Sequence, residues 1–235
     1  MIHSKIIVAL DFSDVSDAMS FTKRLTPGSC ALKVGKELFL SGGPFLVESL
    51  VKKGFRVFLD LKFHDIPNTV SKACINAAKM GVWMLNVHAL GGVEMLKAAR
   101  DAIPKSKADS PLLLAVTILT SLDDSDIKKL GFQKKVPDMV KTLSNMAHAN
   151  NYDGVVCSAI EAGQIVEDFG DSFLRVTPGI RLDGNSRDEQ KRVMNPVNAM
   201  QNGASYLVIG RSITQSETPM EIIDKINLEL LGIGN

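Results

Sequence analysis

Short apolar runs rich in β-branched residues recur along the whole chain, separated by polar or helix-period segments. The runs predict strands over 5–11, 31–35, 56–62, 84–89, 112–117, 154–158, 174–177 and 206–210. Between them, apolar residues return at steps of three and four over 45–53, 69–80, 92–102, 136–149, 161–169 and 219–230. That spacing gives each helix an apolar stripe, as packing on a sheet requires. Strand alternating with helix implies parallel pairing through crossovers. Eight such strands favour closure into one (β/α)₈ barrel of the TIM type. An open doubly wound sheet is the alternative. It would want a G-x-G-x-x-G turn after the first strand, where the chain reads Asp11-Phe12-Ser13-Asp14.

Length supports the barrel. The chain has 235 residues, near the usual size of one such barrel and short for two α/β domains. No Pro/Gly/Ser-rich linker or low-complexity tract divides it, so the expectation is one domain over 1–235. The apolar share of 45% and charged share of 23% are those of a globular protein. Net charge is +1, which removes any global argument for nucleic acid or an anionic membrane as partner. Anion recognition must then be local. Cys30, Cys74 and Cys157 are widely spaced, odd in number and without a C-x-x-C pair, which reads as free thiols in a reducing compartment. The first strand begins almost at Met1 and leaves no room for a signal peptide. The longest apolar run, near 112–119, is too short to span a bilayer. A cytoplasmic protein is expected.

In a barrel of this kind the active site lies at the carboxyl ends of the strands. Those ends are polar here. The first predicted strand ends in Asp11, the second carries Lys33, the third carries Asp60 and Lys62, and the fourth ends in Asn86-Val87-His88. Side chains alternate along a strand, so Asp60 and Lys62 should face the interior while Leu59, Leu61 and Phe63 face the helices. Burying such charges costs several kcal/mol per ion, on the order-of-magnitude scale, unless each finds a partner. Lys33, inward on the neighbouring strand, is placed to be that partner. The plain alternative is a salt-bridge network that only plugs the barrel. Asp65 precedes Pro67 and, taken alone, reads as a helix start. The polar stretch from Thr177 to Gln190 suggests a closing loop. It leads to a last strand ending in Gly210-Arg211, at the position where these barrels hold phosphate. Arg211 would supply a bidentate donor. His88 reads as a hydrogen-bonded core residue. No metal-ligand spacing occurs, and no G-x-x-x-x-G-K-[ST] loop argues for nucleotide hydrolysis.

The run from Asp60 to Thr69, DLKFHDIPNT, resembles the D-x-K-x-x-D-I-P-N-T signature of the orotidine 5′-phosphate decarboxylase family. The resemblance continues through ALDF at Asp11, KVG at Lys33, NVHA at His88, LTS at Thr120, VTPGIR ending in Arg181, Gln190, and IGRSI at Arg211. It implies decarboxylation of a nucleotide without metal or organic cofactor. It also implies that Lys62 protonates carbon 6 of the pyrimidine and that Asp60 lies by the substrate carboxylate. Lys33 and Asp65 would complete a charged chain, Asp11 and Lys33 would bind ribose hydroxyls, and Thr120 would lie by the base. Arg181, Gln190, Gly210 and Arg211 would close on the phosphate. A homodimer is implied too, with Asp65 and Thr69 serving the partner's site. A bare D-x-K-x-x-D also occurs in metal-dependent sugar-phosphate barrels, and a non-catalytic nucleotide sensor is a further alternative.

Overall fold

The computed structural model describes residues 4–105, 110–182 and 193–232. Its strands are β1 (Ile6–Ala9), β2 (Ala31–Gly35), β3 (Val57–Phe63), β4 (Met84–His88), β5 (Leu112–Val116), β6 (Gly154–Val156), β7 (Leu174–Thr177) and β8 (Tyr206–Ile209). They pair in parallel in chain order, and β8 closes on β1. The predicted barrel is therefore the observed one, with several strand ends trimmed by a residue or two and β3 shifted on by one.

Helices cover the outside: α1 (Val15–Thr22), α2 (Lys36–Lys52), α3 (Pro67–Lys79), α4 (Gly92–Ala102), α5 (Asp124–Lys129), α6 (Val136–Ala149), α7 (Ala162–Phe169), α8 (Pro196–Gln201), α9 (Arg211–Thr214) and α10 (Pro219–Leu231). Proline stands in the first turn of α3, α6, α8 and α10, where its missing N–H costs nothing. Asp14 caps α1, and Asp123 with Asp126 forms a capping box on α5. The helix predicted over 45–53 starts earlier, at Lys36. Gly43 breaks it with φ 58° and ψ −160°, and Pro44 begins the second segment. The Gly-Gly-Pro signal hid the first turns.

Alternation sorts each strand between two cores. Ile7, Ala9, Ala31, Phe58, Met84, Leu114, Val176 and Val208 fill the barrel interior. Ile6, Val8, Leu32, Leu59, Leu85 and Leu113 join the larger layer beneath the helices. Strands buried on both faces read as continuous apolar runs, as these do. Gly154 on β6 is demanded by packing, since a Cβ there would collide with the Leu174 carbonyl oxygen.

The amino end of the barrel is closed by rings and cations. Trp83 meets Tyr206 edge-on at 5.1 Å, the Arg56 guanidinium lies 4.4 Å from the Trp83 centroid, and Lys5 Nζ lies 5.3 Å from that of Tyr206. Nearby, Arg175 donates to the carbonyls of Gly203, Gly170, Asp171 and Phe173. Arg100 donates to Asp153 at 2.9 Å and to the Ile103 carbonyl. The three cysteines are buried and outside any disulfide, and burial pushes the Cys30 and Cys74 thiols up to about 12. Among the described residues, no helix is long and apolar enough to cross a membrane.

Candidate active site

At the carboxyl ends of the strands the barrel opens into a cavity of about 470 Å³. Its floor is apolar, made of Ala9, Phe58, Val116, Val156 and Val208. Above that floor stands a chain of alternating charges. Lys33 Nζ lies 3.2 Å from Asp11 Oδ1 and 3.4 Å from Asp60 Oδ2, and Lys62 Nζ lies 2.7 Å from Asp60 Oδ1. The expected Lys–Asp cluster is present, with Asp11 as its outer end.

Burial alone would force both central charges toward neutrality, and their partners prevent it. Lys33 is desolvated, yet the Asp60 and Asp11 carboxylates hold its ammonium above its ordinary range. Asp60 is desolvated too, yet Lys33, Lys62 and the hydrogen bonds from Lys62 and Asn86 hold its carboxyl below the usual range. Lys33 and Asp60 are thus both ionised at neutral pH. Low dielectric strengthens each contact.

Alternation predicts Lys62 on the interior side, but the backbone reaches that side irregularly. Between Leu59 and Phe63, β3 takes four steps while β4 takes two, from Leu85 to Val87. The excess is a bulge, and within it Lys62 adopts φ 52°, a left-handed backbone unusual for a side chain of its size. Such a conformation costs on the order of 1–3 kcal/mol, so the surroundings must hold it. Part of that support is Asn86, fully buried on β4, whose Oδ1 accepts the Lys62 backbone N–H at 2.8 Å. Its Nδ2 donates to Asp60 Oδ1 at 2.7 Å. Asn86 carried no assigned role in the sequence reading. The available signal was a polar residue at interior parity between Leu85 and Val87.

The opposite wall carries cations and backbone. Thr120, Pro178, Gly179, Arg181, Gly210 and Arg211 line it. The stems of the connection after β7 are joined: Arg181 N–H donates to the Met194 carbonyl at 3.0 Å, and Met194 N–H to that of Gly179 at 3.3 Å. A Cβ at Gly210 would lie 3.6 Å from Asp11 Oδ2, an ordinary contact. Among the described residues no atom crowds that position, and Gly210 lines the cavity. Gln190 lies outside the described residues.

Asp65 and Thr69 are exposed and do not line this chain's cavity. Asp65 Oδ1 accepts the Ile66 N–H at 2.6 Å, but the α3 cap position is Ile66 and no side chain caps it. The expected helix start is present, at Pro67, but Asp65 precedes the cap position and does not cap the helix. His88 also differs from expectation. It is half-buried at the exit of β4, stacks on His64 with centroids 5.2 Å apart, and accepts the Leu90 N–H through Nδ1. Burial first, then His64, Lys62 and Lys36, push its pKa down to about 4, so it is neutral at pH 7. His88 is the last residue of β4, still paired with Val116, and its place at the strand's end leaves it half-buried rather than in the core. Among the described residues, no group of three His, Cys, Asp or Glu side chains could hold a metal ion.

The closed barrel with ionised side chains gathered at its carboxyl mouth is that of a barrel enzyme. The family model for orotidine 5′-phosphate decarboxylase / HUMPS matches residues 4–226. A Tolumonas auensis protein named orotidine 5′-phosphate decarboxylase is 51% identical over 98% of this chain and all of its own length. One of the same name from Aliivibrio fischeri is 49% identical over 99% of this chain and all of its own. The solved orotidine 5′-phosphate decarboxylase of Lactobacillus acidophilus is 36% identical, with a TM-score of 0.85 over 96% of this chain and 98% of that one. The chain belongs to the orotidine 5′-phosphate decarboxylase / HUMPS family.

Proposed function

We propose that this chain is a carboxy-lyase that converts orotidine 5′-phosphate to uridine 5′-phosphate and CO₂, the last step in making that pyrimidine nucleotide, within one domain and in the cytoplasm. The observation that carries the reading is the Lys62–Asp60 contact of 2.7 Å inside a cavity that also holds Arg181 and Arg211. Relatives about half identical over their full length bear the name of that reaction, which narrows the broader family.

The chemistry follows from charge placement. The bond between carbon 6 and the carboxylate breaks, its electron pair stays on carbon 6, and CO₂ leaves. The ring delocalises that pair poorly. An ammonium already fixed beside carbon 6 stabilises the developing charge without reorganising at the moment of reaction. Lys62 Nζ then gives its proton to carbon 6 and regains one from water. Asp60 holds Lys62 in place and faces the substrate carboxylate, a repulsion that eases as neutral CO₂ forms. Lys33 and Asp11 bind the ribose hydroxyls, and Thr120 lies by the base. Arg181, Gln190, Gly210 and Arg211 close on the phosphate, with Gln190 reaching toward the base. Binding energy from that remote group supports closure and dehydration around the reacting carbon. Asp65 and Thr69, exposed here, serve the site of a second copy in a homodimer. No cofactor takes part, because Lys62 supplies the electrophile.

Loss of absorbance of orotidine 5′-phosphate, followed with excess EDTA present, tests this function. Sustained turnover is expected. Turnover abolished by EDTA and restored by a divalent cation would favour a metal-dependent sugar-phosphate type of chemistry. Tight binding of uridine 5′-phosphate with no turnover would favour a sensor. Mixing Lys62→Ala with Asp65→Ala protein should restore part of the activity, because the hybrid dimer regains one intact site. No recovery would overturn the shared site.

A further inference from the structure

Asp60 and Lys62 stand two residues apart on one strand, yet one side chain on the next strand touches both. Asn86 accepts from the Lys62 backbone N–H at 2.8 Å and donates to Asp60 Oδ1 at 2.7 Å. The same Asp60 oxygen receives Lys62 Nζ at 2.7 Å. The contacts close a ring through the backbone and side chain of Lys62. A bulged residue loses its ladder partner, so the Lys62 N–H would be orphaned in the barrel interior without an acceptor. The amide can sit only one way round. Flipped, its NH₂ would face an N–H and its oxygen would face a carboxylate. Asn86 is itself fully buried, so water does not substitute for it.

We propose that Asn86 is a positioning residue for the reaction proposed above: its carboxamide fixes Lys62 in its left-handed bulge and holds Asp60 against the Lys62 ammonium. The inference rests on that function only for its kinetic readout. Other groups facing Asp60 are Lys33 from β2 and Lys62 from its own strand, with Asp11 beyond Lys33 at the end of β1. Asn86 is the neutral member of the set, able to orient the pair without changing its charge.

A carboxamide and a protonated carboxyl have nearly the same shape, which gives a test that plain scaffolding fails. Asn86→Ala should lower kcat by about ten- to a hundredfold, the size of a lost hydrogen bond to a charged group. Its Kd for uridine 5′-phosphate should stay within about threefold, because the phosphate wall is untouched. Asn86→Asp puts a second carboxylate against Asp60. Its kcat relative to the unmodified protein should rise as pH falls, because a protonated Asp at position 86 can again donate to Asp60. A flat ratio across pH, or Asn86→Ala with normal kcat, would overturn the proposal. So would equal losses in kcat and in uridine 5′-phosphate affinity. A carbon-13 NMR titration of the Asp60 carboxyl needs no turnover. Its midpoint should move up in Asn86→Ala, and an unmoved midpoint refutes the contact even if the substrate assignment is wrong. Should Asn86→Ala not fold, Asn86→Asp carries both measurements.

Discussion

The two ends of the barrel both gather cations, to opposite effect. At the amino end, Arg175 spends its guanidinium on backbone carbonyls, and the Arg56 guanidinium lies over the Trp83 ring. Their donors are consumed by fixed acceptors, and the result is a seal. At the carboxyl end, Lys33 and Lys62 point at carboxylates across an open cavity, and Lys62 holds an unfavourable backbone to do so. Those charges are paired with one another but not covered. A buried ion pair is weak evidence for stability. A buried ion pair with its face open to a cavity and its backbone strained is better explained by what enters that cavity.

Breaking each end in turn should separate the two roles. The largest effect is expected from Asp60→Ala, which strands Lys33 and Lys62 without their shared carboxylate. Turnover should fall by at least about a thousandfold, and unfolding free energy by about 3–5 kcal/mol. Kinetics and denaturant melts on one preparation measure both, and a loss confined to stability would reduce the mouth to a plug. Arg175→Met at the amino end should cost about 2–4 kcal/mol by leaving buried carbonyls unpaired. Its kcat should be unchanged, and a matching drop in kcat would erase the contrast between the ends. Arg211→Ala should lower kcat/KM by about ten- to a hundredfold, mainly through KM, from one lost charge-assisted contact. An unchanged kcat/KM would remove Arg211 from the phosphate wall.

The smallest effect is in pH. Asp60 is held below its ordinary range, so its contribution to stability is present above about 3.9 and is lost as pH falls through the lower folded value. Lys33 is held above its ordinary range, so its contribution is present below about 10.4 and is lost as pH rises through the higher folded value. The stability difference between the unmodified protein and a Lys33→Met, Asp60→Leu double variant should therefore be flat from about pH 5 to pH 9. It should move toward the double variant beyond either end. A slope inside that window would contradict the assigned directions.

The barrel was legible because burial on both faces leaves strands apolar and helices striped, so period alone separates them. The helical turns at Lys36–Gly42 were not legible, since Gly42-Gly43-Pro44 signals a break that the chain absorbs as a kink. Asp60, Lys62 and Lys33 could be placed together from strand parity, but the route was different. No glycine marks the bulge that turns Lys62, so nothing local announces it. Asn86 was missed because its value lies in a contact with another strand at an irregular register, which no single-strand pattern encodes. Thr69 could be singled out only by resemblance, and Asp65 only by its spacing after Asp60 and Lys62, since both are exposed within one chain.

The central claim is that the Lys62 ammonium, held by Asp60 at the barrel's mouth, protonates carbon 6. Turnover and uridine 5′-phosphate binding of Lys62→Ala, measured side by side, address it most directly. The account predicts a folded protein that still binds the product nucleotide but retains less than about one part in a thousand of the turnover. Turnover within about tenfold of the unmodified protein would contradict it.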